Sequence, residues 1–214
     1  IILKLPPTTL QKSISHQLKC LDKKIDLNNK INQTLEQMSQ TLFKSWFVDF
    51  DPVIDNALDA GNPIPETLQS RAELRQKVRN SADFKPLPAD IRALFPAEFE
   101  ETELGWVPKG WVTNRLENIL ELAYGKALKK TERIEGPYSV YGSGGITGSH
   151  NSYLVEGPGI IVGRKGSIGT LYWEDGKFHP IDTVYYVENK EGVPLTYLYY
   201  LMGTLNLSSM NTDA

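Results

Sequence analysis

Between Thr8 and Asp51 the sequence contains neither glycine nor proline. Through that stretch Ile14, Leu18, Leu21, Ile25, Asn28, Asn32, Leu35, Ser39, Leu42 and Trp46 are spaced alternately by four and three. A 3.5-residue repeat kept in one phase is the seam of a helix packed along another helix. A helix over 14–47 runs about 50 Å at 1.5 Å per residue, too long and narrow to bury its seam on a small globule. The extended Leu5-Pro6-Pro7 precedes it, with Thr8, Thr9 or Ser13 as candidate caps. Asp51-Pro52 ends it, because proline disfavours helix in the residue before it. Asn28 and Asn32 make the middle of the seam polar, which costs stability but fixes register and partner. The competing reading is a helix lying on its own domain with both asparagines in water. Cys20 falls off the seam and is read as an exposed thiol.

Composition limits what the rest can be. With 40% hydrophobic and 23% charged residues in 214, a packed core is available and global disorder is excluded. The 23 Lys+Arg against 26 Asp+Glu give a net charge of −3. That excludes a uniformly basic nucleic-acid binder but leaves room for a local basic patch. A single cysteine rules out an intrachain disulfide framework and a cysteine-rich zinc site, and fits a reducing cytoplasm. No apolar run approaches the roughly 18 residues of a membrane span, and no signal peptide is visible, so no membrane association is expected. The sequence starts at Ile1 rather than Met, which reads as a piece of a longer protein.

The pattern changes twice more along the chain. Residues 51–104 read as a connector with short helices: Glu66 to Ala82 is charged and at best a solvated helix, and Pro86, Pro88 and Pro96 break the next stretch into turns. From about Gly105, strand and turn signals dominate. Trp111–Leu116, Tyr138–Tyr141, Gly159–Gly163, Ile168–Trp173 and His179–Val187 read as strands, with a helix over Pro194–Leu205. The expected fold class is α+β, a long coiled-coil helix plus a β-rich α/β domain with a twisted, mainly antiparallel sheet.

Two glycine-rich loops carry the sharpest chemical signals. Gly142-Ser143-Gly144-Gly145 with Gly148 is loosely like a phosphate cradle. It lacks the third aligned glycine, the following helix and the downstream acid of a dinucleotide site. Arg164-Lys165-Gly166-Ser167 is not a P-loop. It reads as a tight turn presenting two cations and a hydroxyl, where glycine lets backbone N–H groups approach phosphate and arginine can bond guanine bidentately; a plain hairpin with two solvated cations is the alternative. A second basic cluster, Lys126, Lys129, Lys130 and Arg133, is only partly offset by Glu132 and Glu135. Tyr141, Tyr153, Tyr172 and Trp173 can stack on bases or pack in a core. The candidate DNA-contacting residues are therefore Arg164, Lys165, Ser167, Ser143, Gly144, Tyr141, Lys126, Lys129, Lys130 and Arg133.

Catalytic motifs are missing. Asp175-Gly176-Lys177 has the tail of a nuclease motif without the upstream acid, and Phe50-Asp51-Pro52-Val53 is not an amino-methyltransferase motif. His16, His150 and His179 are scattered, so no shared metal site is expected. Ser143 and His150 are near in sequence with nothing to orient them as nucleophile and base.

Three blocks carry a family resemblance. The run from Leu5-Pro6-Pro7 through Leu21-Asp22-Lys23-Lys24-Ile25, Asn28-Asn29-Lys30-Ile31-Asn32 and Leu42-Phe43-Lys44-Ser45-Trp46-Phe47-Val48-Asp49-Phe50-Asp51-Pro52-Val53 resembles the central conserved helix of type I restriction–modification specificity subunits. Glu103-Leu104-Gly105-Trp106-Val107-Pro108-Lys109-Gly110-Trp111 is similar to the entry of a target-recognition domain. Tyr141-Gly142-Ser143-Gly144-Gly145-Ile146 and Ile160–Gly169 are similar to that domain's glycine-rich core.

The resemblance implies a non-catalytic subunit with two recognition domains, each reading half of a split DNA site, held apart by two conserved helices packed antiparallel. It implies duplex DNA, modification subunits and restriction subunits as partners. S-adenosylmethionine, ATP and Mg are then expected only in those partner subunits, and no cofactor in this chain. On this reading residues 1–13 are the stub after an upstream recognition domain, 14–50 the spacer helix, 51–104 the connector, and 105–214 a recognition domain cut before the second conserved helix. A rod of about 50 Å matches roughly 15 base pairs at ~3.4 Å each. The seam of Ile14, Leu18, Leu21, Ile25, Asn28, Asn32, Leu35, Leu42 and Trp46 is expected to pair with a second copy in an antiparallel dimer. The alternatives are a coiled-coil adaptor that binds protein rather than DNA, and a self-contained nuclease or methyltransferase.

Overall fold

The structure, a computed structural model, describes residues 3–210; the first two residues of the expected stub and the last four of the expected recognition domain lie outside them. Helix α1, Thr8–Phe47, is unbroken over 40 residues, about 60 Å at 1.5 Å per residue. It begins six residues before the first seam position. Pro7 is its N-cap and no side chain caps it, so the expected hydroxyl caps are not used. Gln11 instead bonds the Pro6 carbonyl through its side chain, at 2.7 Å.

The seam residues of α1 are exposed, Ile14 to Leu42 by 44–58% for the aliphatic members. A second apolar line runs beside the second half of the expected seam. Past Asn28 the apolar residues are Ile31, Leu35, Met38 and Leu42, spaced by four, three and four. Ile31 and Asn32 are neighbours and both exposed, so each remains open to a partner helix. Ser39 turns half-buried with Glu36 and Phe43 toward the chain's own domain. Trp46 leaves the seam altogether, its ring 5.5 Å from Phe95.

Beyond α1, helices α2 (Asp51–Ala60), α3 (Gln69–Arg79) and α4 (Ala89–Arg92) form the connector, with a 3-10 turn at Glu66–Leu68. Far from being merely solvated, α3 is tied to α2 by a ladder of ion pairs: Asp51–Arg71, Asp55–Arg75 and Asp59–Arg79. The constant offset of twenty residues means that the helices run side by side in the same direction. Ala72 is buried between them, as are Val53, Ile54 and Ala57.

Strands β1 (Phe99–Thr102) and β2 (Gly105–Pro108) make a hairpin with Phe99 opposite Pro108, so a domain boundary at residue 105 would cut it in two. No strand forms over Trp111–Leu116. The Trp111 ring is drawn to Phe47 and Phe50, and the short helix α5, Leu116–Ile119, comes next.

The remaining strands build two sheets, not one. Strands β3 (Leu120–Tyr124), β4 (Tyr138–Gly142), β5 (Gly145–His150), β6 (Gly159–Gly163), β7 (Leu171–Glu174), β8 (Phe178–Pro180) and β9 (Val184–Asn189) come before helix α6, Leu195–Thr204. One sheet has the order β3-β9-β6-β7, all antiparallel; the other is β5-β4-β8, with β4 and β8 parallel. Side chains alternate across a strand, and β6 shows why the sheets stack. Ile160 and Val162 pack with Leu198 and Met202 of α6, while Ile161 packs with Tyr141, Phe178 and Val184 on the other face. Helix α6 in turn meets α1, Phe43 lying against Tyr197 and Tyr200. The architecture is α+β, with a long helix beside an antiparallel-sheet domain.

Candidate nucleic-acid interface

The segment Pro180–Thr183, between β8 and β9, gathers three loops that are far apart in sequence. Ser143 N–H donates to Thr183 Oγ1 at 3.3 Å. The N–H groups of Arg164 and Lys165 donate to the Thr183 carbonyl at 3.0 and 3.1 Å, Lys126 N–H donates to the Pro180 carbonyl at 3.0 Å, and Ile181 N–H donates to the Tyr141 carbonyl at 2.9 Å. Gly125 is needed for this approach, since a Cβ there would lie 2.1 Å from the Ile181 carbonyl oxygen. The two glycine-rich turns also touch directly. The Ser143 carbonyl accepts from Thr170 Oγ1 and the Tyr172 hydroxyl at 3.2 and 3.1 Å. A Cβ on Gly166 would stand 3.4 Å from Ser143 Oγ.

One face therefore presents Ser143, Gly144, Arg164, Lys165, Gly166 and Ser167 together, with Lys126 alongside. Sequence reasoning missed Thr183, Thr170 and Asp182, whose role comes only from the loop crossing. It also missed Tyr124, an exposed aromatic at the end of β3.

The two cations of the β6–β7 loop are not equivalent. The Arg164 guanidinium lies 4.8 Å over the Tyr124 ring and 5.6 Å from that of Tyr185, and its Nη1 donates to the Asp182 carbonyl at 3.0 Å. It is held over an aromatic ring, an attraction to the ring's negative face. Lys165 reaches the Asp182 carboxylate at 3.4 Å, with both side chains about half exposed. Such a pair holds little energy in water, so Lys165 stays available to a phosphate. The expected tight turn is wider than predicted: β7 begins at Leu171, not Ile168, and Gly169 N–H closes the loop on the Gly163 carbonyl at 2.9 Å.

In the second basic cluster Lys126, Lys129 and Lys130 are exposed. The Lys129–Glu132 pair is loose at 3.9 Å. Arg133 departs from expectation. Its Nη1 donates to the Thr147 carbonyl at 2.9 Å and its Nη2 to the Leu128 carbonyl at 3.3 Å. It ties the lysine loop to β5 rather than offering its charge outward.

Tyr141 is a second correction. It is only 4% exposed and its hydroxyl donates to Glu174 at 2.9 Å. Burial and that carboxylate both push its ionisation upward. Its ring supports the loop from beneath and cannot stack on a base.

The fold brings together two of the three histidines, His150 and His179, with ring centroids 5.8 Å apart. Ile134 N–H donates to His150 Nδ1 at 3.1 Å, anchoring the end of the lysine loop. Neither ring nitrogen of His179 has a partner among the described residues. No cluster of three metal-ligating side chains occurs among those residues, and no helix is long and apolar enough to cross a membrane.

The arrangement offers exposed cations and the hydroxyls of Ser143 and Ser167 on a platform held by internal backbone bonds, the elements of phosphate and base contact. Residues 108–213 match the family described as the Type I restriction modification DNA specificity domain. The chain is 33% identical over 147 residues to the Type I restriction enzyme HindI specificity subunit of Haemophilus influenzae, 61% of this chain and 32% of that protein. It is 27% identical over 111 residues to the putative type I restriction enzyme specificity subunit S.HindORF215P of the same organism, 50% of this chain and 28% of that one. The chain thus spans about a third of the length of the curated relatives it matches. Among solved structures, similarity extends to the type I restriction-modification S subunit from M. genitalium, at TM-score 0.41 and 19% identity over 45% of this chain and 27% of that one. It extends also to the HsdS subunit from Thermoanaerobacter tengcongensis, at TM-score 0.39 and 12% identity over 98% of this chain and 44% of that one.

Proposed function

Given that this chain belongs, through residues 108–213, to the type I restriction–modification DNA specificity family, we propose that it selects duplex DNA for a complex whose catalysis resides in other subunits. The carrying observation is the convergence of the Ser143, Arg164–Ser167 and Lys126 loops on Pro180–Thr183, which puts the exposed Lys126 and Lys165 on one face. Lys126, Lys129, Lys130 and Lys165 fit phosphate contacts, which position a protein without reading sequence; Ser143, Ser167 and Arg164 fit contacts to base edges.

In this reading α1 is the spacer. At about 60 Å it spans roughly 18 base pairs at ~3.4 Å, a bound on how far apart two reading heads could stand over an unread stretch. Its exposed stripe is the surface for a partner helix, supplied by a second copy of the chain. Modification and restriction subunits bind S-adenosylmethionine, ATP and Mg and perform the chemistry. A bacterial cytoplasm, where DNA and those subunits meet, suits the single exposed thiol of Cys20.

The test is binding of the chain, alone and with its modification subunits, to duplex DNA across a salt series. Affinity that falls linearly with log salt concentration supports DNA recognition, because phosphate contacts release counterions. Salt-independent capture of protein partners without DNA binding would favour the adaptor reading.

A further inference from the structure

The rod and the first connector helix, α2, are joined by only three residues, Val48–Phe50. We propose that Asp51 is a positioning residue that locks the angle between α1 and the recognition domain. The inference rests on the reading of α1 as a spacer only for its consequence on DNA; the lock itself is a property of the joint.

The joint is built from both sides. Phe50 adopts φ 56°, the left-handed region that non-glycine residues rarely occupy, so the helix breaks sharply there. Its ring is fixed against Phe99 and Trp111, 6.4 and 5.7 Å between centroids. Directly after it, the Asp51 carboxylate is 4% exposed and connects three helices. Oδ2 accepts from Ser45 Oγ of α1 at 2.7 Å, and Arg71 of α3 donates to both oxygens at 2.7 and 2.6 Å. The neighbouring Asp49 binds Lys44 of α1 at 2.6 Å and lies 3.3 Å from Arg71. On the opposite side of α1, Phe43 and Phe47 pack against Tyr197.

A helix gripped by a charge network on one flank and aromatic rings on the other has one orientation. Asp51 is the atom-level link between them, since it begins α2 while holding α1 and α3. A bidentate arginine pair fixes direction as well as distance. Removing the negative charge leaves Arg71 without its main partner and frees Ser45. The rest of the ladder, Asp55–Arg75 and Asp59–Arg79, keeps its own pairs, Arg75 losing only its longer 4.0 Å approach to Asp51. The consequence for function is that half-site spacing depends on this joint as well as on helix length.

The chain's single cysteine, Cys20, is exposed on the rod and supplies one spin label; Glu188→Cys on β9 supplies the other. Double electron–electron resonance on the full chain, diluted with unlabelled copies, reads the rod-to-domain distance distribution. In the parent it is narrow. Asp51→Asn and Arg71→Met each broaden it at least twofold while cooperative thermal unfolding and helical circular dichroism persist, and Ser45→Ala broadens it less. Asp59→Asn lowers the unfolding midpoint but leaves the width unchanged, which separates positioning from stability. Should Asp51→Asn fail to fold, Arg71→Met and Ser45→Ala decide the matter. An unchanged width in the variants that fold, or equal broadening by Asp59→Asn, overturns the proposal. Because no DNA is involved, the outcome is independent of whether the chain binds DNA.

Discussion

Phe43 on the long helix meets Tyr197 on the last helix edge to face, ring centroids 5.1 Å apart and planes at 62°. Phe43 is the one α1 residue among those described that is fully buried, so the rod's hold on the domain concentrates there. Replacing a buried Phe by Ala costs about 3–5 kcal/mol through reduced transfer energy and the cavity left behind. Phe43→Ala should therefore lower the denaturant midpoint of the domain strongly. Phe43→Leu, which keeps most of the volume, should cost less than half as much. Equal effects from both would mean that packing at this joint is not the stabilising term.

The lysine loop makes a prediction about salt rather than stability. Lys126, Lys129 and Lys130 are exposed and make no strong ion pairs, so changing all three to Ala should leave folding intact. Every phosphate that one of these lysines neutralises adds up to about 0.9 to the slope of log affinity against log salt. The triple variant should therefore show a shallower slope, and its weakening should be uniform over DNA sequences. An unchanged slope would remove this loop from the interface.

Arg164 and Lys165 should behave differently from each other. Lys165→Ala removes a mobile charge and should weaken binding evenly across sequences, whereas Arg164→Ala strips the cation from the Tyr124 ring and the Asp182 carbonyl. The double Arg164→Ala, Lys165→Ala variant should weaken specific DNA binding in the reconstituted complex without unfolding the domain. Unchanged affinity together with an unchanged methylated sequence would exclude both residues from the site.

The rod could be read from the sequence because a helical period is a local property, and 3.5-residue spacing survives whatever the partner is. The fate of Tyr141 could not. Strand β4 is the middle strand of β5-β4-β8, and its consecutive residues Val140 and Tyr141 are both buried, so both of its faces are covered. A period-two count puts one of them outside. The ion ladder was equally hidden, since Arg71, Arg75 and Arg79 look like a solvated face until Asp51, Asp55 and Asp59 lie opposite them. The basic residues of the site were legible as residue types. Their grouping depends on Pro180–Thr183, a stretch with no motif of its own, which brings together three loops from distant parts of the chain.

Stability should fall as the solution is acidified through the histidine range. Burial chiefly holds His179 below its ordinary value, with the His150 ring pushing the same way and the backbone of Lys126 and Ser152 opposing it. A base whose folded value is lowered binds fewer protons folded than unfolded, so its contribution to stability is full above about 6.5 and declines below it. The urea midpoint of the parent should therefore drop between pH 7.5 and 5.5 by more than that of His179→Gln. Parallel curves for the two proteins would show that this imidazole does not couple folding to protons.

The exposed stripe on α1 carries the last prediction. Its apolar positions are Ile14, Leu18, Leu21 and Ile25 before Asn28, and Ile31, Leu35, Met38 and Leu42 after it. Counted outward from Asn28, both halves step by three, four, three and four. A helix with this pattern is its own antiparallel complement: Ile25 falls opposite Ile31 of a second copy, Leu21 opposite Leu35, Leu18 opposite Met38, Ile14 opposite Leu42, and Asn28 opposite Asn28. The three-residue step on each side of Asn28 overwinds the helix locally relative to a strict heptad and sets the two-fold axis there. Pairing of the two asparagines would fix the register at some cost in stability, and a two-fold interface repeats each contact twice. The chain should therefore sediment as a dimer at micromolar concentration. Leu21→Glu should give a monomer with an intact domain, because in the dimer its carboxylate would be buried against Leu35 on both sides of the axis. Asn28→Leu should tighten association while loosening the choice of register, read as a mixture of cross-linked pairs. A parent chain that sediments as a monomer at that concentration would show that the stripe awaits a different helix.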